Sequence, residues 1–428
     1  MKSTTQQFLD EHRRLSRRYF LRFGTAGMAA WGALPLFAGE NKSTDATADA
    51  DQGDALAKAI KNIETWLTKQ DDFGDVSRGN PKPHTLDLAK REEVGLTRDT
   101  WQLEVVDDAE HSSGMRRPLS KEQDTAFKFD DLMKLADKHA VRFPKLMTCL
   151  NVGCPLGNGV WEGVPLREVV WLTKPNEKLR RLFYHGYHND DPEQIFRSSL
   201  PIGRVLEDPF GLPPVILCYK LNGEWLTQER GGPVRIVVPE AYGFKSIKWL
   251  SQVTLSNIWK SNDTYGEKNN DVDSPLKTFC EAFPLPAKIN PNEPVAVTGY
   301  SQVGISGLSK VQVWVQSNEE EPIAGDRYYT QAPWQDAQIL APPQAWGGEI
   351  GEQPMLADTR GFDEDGQPKS WPIKLSKAHW AALLPGLPAG EYTLRCRTID
   401  ENGAAQPLPR PFRKSGRAAI QEMQLKVG

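Results

Sequence analysis

The chain is poor in cysteine: five in 428 residues, at Cys149, Cys154, Cys218, Cys280 and Cys396, with no Cys-x-x-Cys pair among them. That spacing argues against a zinc ribbon or a CxxC-held iron–sulfur cluster, and the lack of Cys-x-x-Cys-His argues against covalently attached haem. An odd number of cysteines leaves at least one thiol free, and a chain this rich in core has no need of a disulfide framework. There is no basic stripe. The net charge is −4 and the charged fraction 25%, an ordinary soluble surface with nothing that selects nucleic acid. No apolar run after the N-terminal region is long enough to span a membrane, and no internal repeat is evident. Gly157-x-Gly159-x-x-x-Gly163 lacks the strand–helix spacing and the downstream acid of a dinucleotide loop, so it reads as a turn.

What is present begins at the N-terminus. Ser16-Arg17-Arg18-Tyr19-Phe20-Leu21-Arg22 precedes a weakly apolar stretch from Phe23 to Ala38, the pattern of a twin-arginine export signal. That route carries folded proteins, so it predicts a cofactor inserted before export and a periplasmic location. Setting aside residues 1–38 leaves about 390, enough for two domains. Thirteen Trp, 32 Pro and 35 Gly favour short strands and many turns over a helical bundle.

Residues 39–94 read as an acidic flexible segment, a short amphipathic helix marked by Leu56, Ile60, Ile63 and Leu67, and a Pro- and Gly-rich stretch with little periodicity. A first domain is predicted over 95–257. It has strands near Trp101–Val105, Val141–Cys149, Val215–Leu221, Val234–Pro239 and Ile247–Leu255. Helices are expected over Asp130–His139 and Leu166–Leu172, a turn at Trp161–Leu166, and a hairpin at Leu221-Asn222-Gly223-Glu224. Residues 258–288 read as a linker. Alternating strands near Val295–Gly299, Val311–Val315, Tyr392–Arg397 and Met423–Val427 predict a β-sandwich over 289–428. Trp314, Trp334, Trp346, Trp371 and Trp380 are expected in its core and edge, and Asp400-Glu401-Asn402-Gly403 as a hairpin turn.

Two clusters carry chemistry. Cys149 stands at the end of an apolar strand, before the glycine-punctuated run Asn151–Gly159; it suits a soft metal ligand, although a buried core thiol is the commoner fate of a lone cysteine. Arg230, Arg235, Lys245 and Lys248 fall within nineteen residues, interleaved with Gly231, Gly232 and Ser246. They suit an anion cradle, or a solvated basic turn. His185 and His188, with Asp190 and Asp191, read as a polar loop at a cofactor entrance rather than a zinc or iron site.

These residues bring the chain to a family. Thr148-Cys149, Trp161-x-Gly163-Val164-Pro165-Leu166, Ser199-Leu200-Pro201, Leu221-Asn222-Gly223-Glu224, Gly232-Pro233-Val234-Arg235 and Gly243-x-Lys245-Ser246-Ile247-Lys248-Trp249-Leu250 occur in order, and together they resemble the sulfite oxidase family of molybdopterin enzymes. The resemblance covers roughly residues 95–428. It implies an α+β molybdopterin-binding domain followed by an immunoglobulin-like β-sandwich through which two copies dimerise. It further implies a molybdenum–molybdopterin cofactor, oxygen-atom transfer to a small sulfur compound (sulfite foremost), and a separate electron carrier such as a cytochrome. A sulfoxide reductase on the same site, or a cofactor-less binding or assembly protein, are the alternatives.

Residue by residue, Cys149 matches the molybdenum-ligating cysteine. Arg235, Lys245, Ser246 and Lys248 match positions that hold the pterin and its phosphate, and Asn151 joins them in the loop after the cysteine. Arg230 takes the place of a cofactor-contacting histidine, and His188 falls near the place of an aspartate. Two departures concern substrate: Phe196 stands where the family has its active-site tyrosine, and Asn151-Val152-Gly153 replaces an arginine expected after the cysteine. Arg197 is the candidate replacement cation.

Overall fold

A computed structural model describes residues 55–428 except 269, 274, 322 and 409–413. The twin-arginine segment and most of the acidic stretch lie outside the described residues. Residues 55–61 are helical. Just beyond, Trp66 and Leu67 are buried against Trp346 and Phe362, with the Trp66 and Trp346 rings 5.1 Å apart.

Two sheets build the first half. One is mixed, in the order Phe127–Lys128, Gln102–Asp107, Leu250–Ser256, Arg181–Gly186, Ser198–Pro201. Gln102–Asp107 and Leu250–Ser256 run parallel, and the other pairs are antiparallel. The Leu103 and Val105 alternation buries both residues with Leu182, Tyr184, Val253 and Leu255. Each such aliphatic side chain contributes about 1.5–3 kcal/mol through burial. The second sheet is antiparallel: Val141–Thr148, Pro155–Pro165, Ile216–Leu221 and Glu224–Trp225, with Arg235–Val237 also on Ile216–Leu221. Helices Phe129–His139 and Leu166–Leu172 lie where the periodicity predicts them, although Lys128, not Asp130, is the N-cap. Asn222 (φ 53°) and Gly223 (φ 90°) form the predicted hairpin turn.

Trp161–Leu166 is not a turn. It is the second half of an eleven-residue strand, Pro155–Pro165, that runs into helix Leu166–Leu172. Its glycines serve close packing: a Cβ on Gly163 would lie 2.3 Å from the Leu217 carbonyl oxygen, and one on Gly157 2.6 Å from the Phe73 ring.

The second half is one antiparallel sheet in the order Phe279–Ala282, Val295–Gln302, Lys377–Leu384, Gln335–Ile339, Lys310–Ser317, Gly390–Ile399, Gln421–Val427. It folds back until Phe279–Ala282 packs on Gly390–Ile399, enclosing Val297, Val311, Val313, Trp380 and Leu394. That is a β-sandwich, as expected, but its edge strand Phe279–Ala282 lies within the predicted linker. Of the five tryptophans, Trp380 is in this core, while Trp346 and Trp371 pack with Trp66. Trp314 and Trp334 lie under Arg395 and Arg397. The two halves are stitched where Thr148 Oγ1 meets Gln302 Oε1 at 2.6 Å and Gln302 Nε2 donates to the Lys277 carbonyl at 2.6 Å. Among the described residues no helix is long and apolar enough to cross a membrane.

Candidate active site

The strands of both sheets end around one cavity of about 220 Å³. Cys149 enters it immediately after strand Val141–Thr148; the Gly153 amide donates to the Cys149 carbonyl (2.8 Å) and the Cys149 amide to the Cys154 carbonyl (3.2 Å), closing a tight loop. Arg230 and Arg235 arrive on the turn that begins strand Arg235–Val237, and Lys248 on the segment entering Leu250–Ser256. Gly231 (φ +96°) permits this approach, because a Cβ there would lie 2.7 Å from that of Lys248.

The cations are costly to bury. Burial pulls Arg235 down to about 10 and Lys248 to about 7; the neighbouring arginines push Lys248 the same way, and Asp75 opposes. Arg230 is lowered mainly by burial, against the pull of the adjacent Glu229. Arg235 donates to the Arg230 carbonyl (2.8 Å) and the Ser246 carbonyl (2.6 Å), and Ser246 Oγ accepts the Val238 amide. The Nε atoms of Arg230 and Arg235 are buried without a hydrogen-bond partner. Unpaired buried donors on cationic side chains are unfavourable unless an anion completes them.

An arm formed by residues 69–86 covers the cavity. Phe73 packs edge-on against Trp161, its carbonyl accepts from Arg230 Nη1 (3.0 Å), and the Gly74 amide donates to the Leu156 carbonyl (2.8 Å). Burial alone would raise the Asp75 carboxyl; hydrogen bonds from Lys82 and Ser77 and the Lys248 charge instead hold it well below the usual carboxylate range. The arm brings in Arg78, whose guanidinium lies 4.2 Å over the Phe196 ring.

Eight of the ten residues expected from sequence line this cavity: Cys149, Asn151, His188, Phe196, Arg230, Arg235, Ser246 and Lys248. Two do not. Lys245 Nζ is buried on the Ser199 carbonyl (2.7 Å) and Asp263 (3.4 Å), so it anchors the segment carrying Asp263 and does not face the cavity. Arg197 bonds the Asn262 carbonyl (2.8 Å) and covers the Phe183 ring. It does not line the cavity, whereas Arg78 does. The sequence reading missed Arg78, Phe244 and Tyr265: one lies in an aperiodic Pro–Gly stretch and another in a supposed linker. The only signal was an arginine beside Gly79-Asn80, weak by itself.

His188 Nδ1 contacts the Gly186 carbonyl at 2.9 Å, and burial lowers its pKa. Burial likewise takes His185 down to about 4. Among the described residues no three His, Cys, Asp or Glu side chains converge as metal ligands. A metal at Cys149 therefore needs further ligands brought by a cofactor. A cofactor with its own sulfur ligands and an anionic group fits this donor set, which consists of one thiol, three cations and two unpartnered guanidinium nitrogens.

Comparison with known proteins agrees. Residues 94–263 match the family described as oxidoreductase molybdopterin binding domain. Mitochondrial sulfite oxidase of Drosophila melanogaster is 24% identical over 227 residues, 46% of this chain and 39% of that protein. Nitrate reductase [NADH] of Volvox carteri is 30% identical over 115 residues, 26% of this chain and 13% of its own length. The chain thus aligns with less than half the length of these relatives. The crystal structure of the sulfane dehydrogenase SoxCD from Paracoccus pantotrophus superposes with a TM-score of 0.53 at 17% identity, covering 77% of each chain, which shows a shared fold. The first domain is a molybdopterin-binding domain whose cofactor is molybdenum–molybdopterin. It is an oxidoreductase domain similar to the corresponding regions of sulfite oxidases and nitrate reductases.

Proposed function

We propose that this protein is an exported oxidoreductase that transfers an oxygen atom to a sulfur compound, sulfite in the first instance, and passes two electrons to a separate carrier such as a cytochrome. The observation that carries this reading is the Cys149 thiol sharing one cavity with Arg230, Arg235 and Lys248. Cys149 would ligate molybdenum, and the three cations would hold the pterin and its phosphate. When bound, the cofactor supplies the two-electron oxygen-atom chemistry. The protein's share is to seat it, exclude water beneath the 69–86 arm, and present Arg78 to an anionic substrate.

A second reading is reduction of an organic sulfoxide at the same site. It is favoured by the aromatic walls Phe196, Phe244 and Tyr265 and by the absence of a cation on the Asn151–Gly153 loop. Pairing of two copies through the C-terminal sandwich, and the export route, remain part of the proposal.

The test is protein purified from a molybdenum-competent host. About one molybdenum per chain with sulfite-dependent cytochrome reduction supports oxidation. Methyl-sulfoxide-dependent oxidation of a reduced dye selects the reductase. Less than about 0.1 molybdenum per chain with no activity would leave only a cofactor-less binding protein.

A further inference from the structure

Tyr265 is the only phenol lining the cavity among the described residues. Its ring is stacked on Phe244 at 4.2 Å and 14°, and meets Phe196 edge-on at 5.6 Å. The backbone is fixed as well, because Asp263 Oδ1 accepts the Tyr265 and Gly266 amides at 3.0 and 2.9 Å, and Asp263 is itself held by Lys245 and Ser199. The ring therefore has one position, and only its hydroxyl hydrogen is free to turn.

That hydrogen has a replaceable acceptor. Tyr265 Oη donates to Asn151 Oδ1 at 2.8 Å, and Lys414 Nζ, from the sandwich half, donates to the same oxygen at 2.8 Å. An amide oxygen has two lone pairs, so Lys414 alone keeps it satisfied when the phenol lets go. The hydroxyl can then donate into the cavity while the Asn151 oxygen keeps a charged donor. Arg78, over Phe196, lies on the same wall.

We propose that Tyr265 is the hydrogen-bond donor to an oxygen of the sulfur substrate, released for that task by Lys414 through Asn151. This rests on the oxygen-atom-transfer reading above and assigns it a residue that no sequence motif marks. The bond is to a charged or strongly polar oxygen, a class whose loss weakens binding about tenfold or more.

The experiment uses the cofactor-loaded full chain and sulfate, a non-reacting tetrahedral sulfur oxyanion, titrated calorimetrically into wild type, Y265F, K414M and the double variant. Expected is about tenfold weaker sulfate binding in Y265F, with molybdenum content and thermal midpoint unchanged, and a matching fall in kcat/KM for sulfite. K414M is expected to weaken sulfate about threefold by trapping the phenol on Asn151, and the double variant to be no weaker than Y265F, because both changes act through one bond. Equal sulfate affinity in wild type and Y265F, additive losses in the double variant, or no sulfate binding by wild type would each overturn the assignment. Wild type that binds sulfate through Tyr265 yet turns over neither sulfite nor methyl sulfoxide would refute the reaction while leaving the role of Tyr265 in place.

Discussion

The carboxylate of Asp75 lies 3.2 Å from Lys248 Nζ, so a cation lining the cavity is also the fastening point of the arm that covers it. Ser77 Oγ reinforces the link at 2.6 Å from the same ammonium, and Lys82 holds the other Asp75 oxygen at 2.7 Å. Closure of the cavity and charge balance within it are thus one set of contacts.

Loosening that link has a measurable result. D75N is expected to raise the rate of limited proteolysis within residues 69–86 about two- to fivefold at neutral pH, the range for a partly exposed ion pair. The Asp75 pKa is lowered in the folded protein, so its stabilisation is present above the unfolded carboxylate value and lost as pH falls below it. Wild type should approach the D75N cleavage rate below about pH 4, while D75N stays flat across that window. Identical cleavage of the two proteins at pH 7 would show that the arm is held by other contacts.

Cys149→Ser removes the proposed metal ligand while changing little volume at a site that is only 9% exposed. Loss of an outer-shell partner to a metal ligand costs ten- to a hundredfold, so loss of the ligand itself should lower turnover by more than about a hundredfold. Far-ultraviolet circular dichroism should be unchanged. Retained turnover would reject Cys149 as the metal ligand.

Lys145 makes a different kind of prediction, because it is fully buried with its Nζ on the carbonyls of Pro239 (2.9 Å) and Ala241 (2.7 Å). Burial pulls its pKa down to about 7. Between that value and the ordinary lysine range the unfolded chain binds the extra proton, so this group makes stability rise with pH across that window. K145M leaves two carbonyls unpaired, at about 1–3 kcal/mol each when the lysine is neutral. Urea unfolding should therefore show a larger penalty for K145M at pH 9 than at pH 6. A penalty that grows toward low pH would contradict a lysine buried in neutral form.

How much of this was legible in the residues depends on how local each signal was. Cys149, Arg235 and Lys248 stand out because thiol, cation and glycine occur in short ordered motifs, and the alternation of Gln102–Val105 or Val311–Val315 marks its own strand. Lys245 fits the motif but is diverted by Asp263, a partner eighteen residues away that no motif contains. The strand Lys377–Leu384 was invisible because its buried Lys377 and His379 look like surface residues until Glu64, from the N-terminal segment, pairs with them. Strand Phe279–Ala282 is four residues long, carries Glu281, and is followed closely by Pro284 and Pro286. Tyr265 and Arg78 join the site only through tertiary contacts, in stretches without periodicity.

Two of the three glycines of strand Pro155–Pro165 should fail in different ways. At Gly163 the obstruction is the Leu217 backbone, which cannot yield without breaking the pairing of this strand with Ile216–Leu221. G163A should destabilise the fold by about 1–3 kcal/mol in urea. At Gly157 the obstruction is the Phe73 side chain on the arm. G157A should displace the arm and speed its proteolysis while leaving global unfolding nearly unchanged. The reverse pattern would mean that the arm is part of the cooperative core.

Arg78 and Arg197 can be separated by kinetics. Arg78 lines the cavity, and among the described residues no acid lies within ion-pair distance of it. Arg197 is occupied by the Asn262 carbonyl and the Phe183 ring. R78A should raise KM for sulfite about tenfold with kcat within about threefold, the mark of lost anion binding felt alike in ground and transition states. R197A should leave KM within about twofold and instead lower the thermal midpoint, since removing the guanidinium frees a carbonyl and uncovers an aromatic face. If R197A raised KM and R78A did not, the charge on the substrate would be read from the other side of Phe196, and the arm would serve only as a cover.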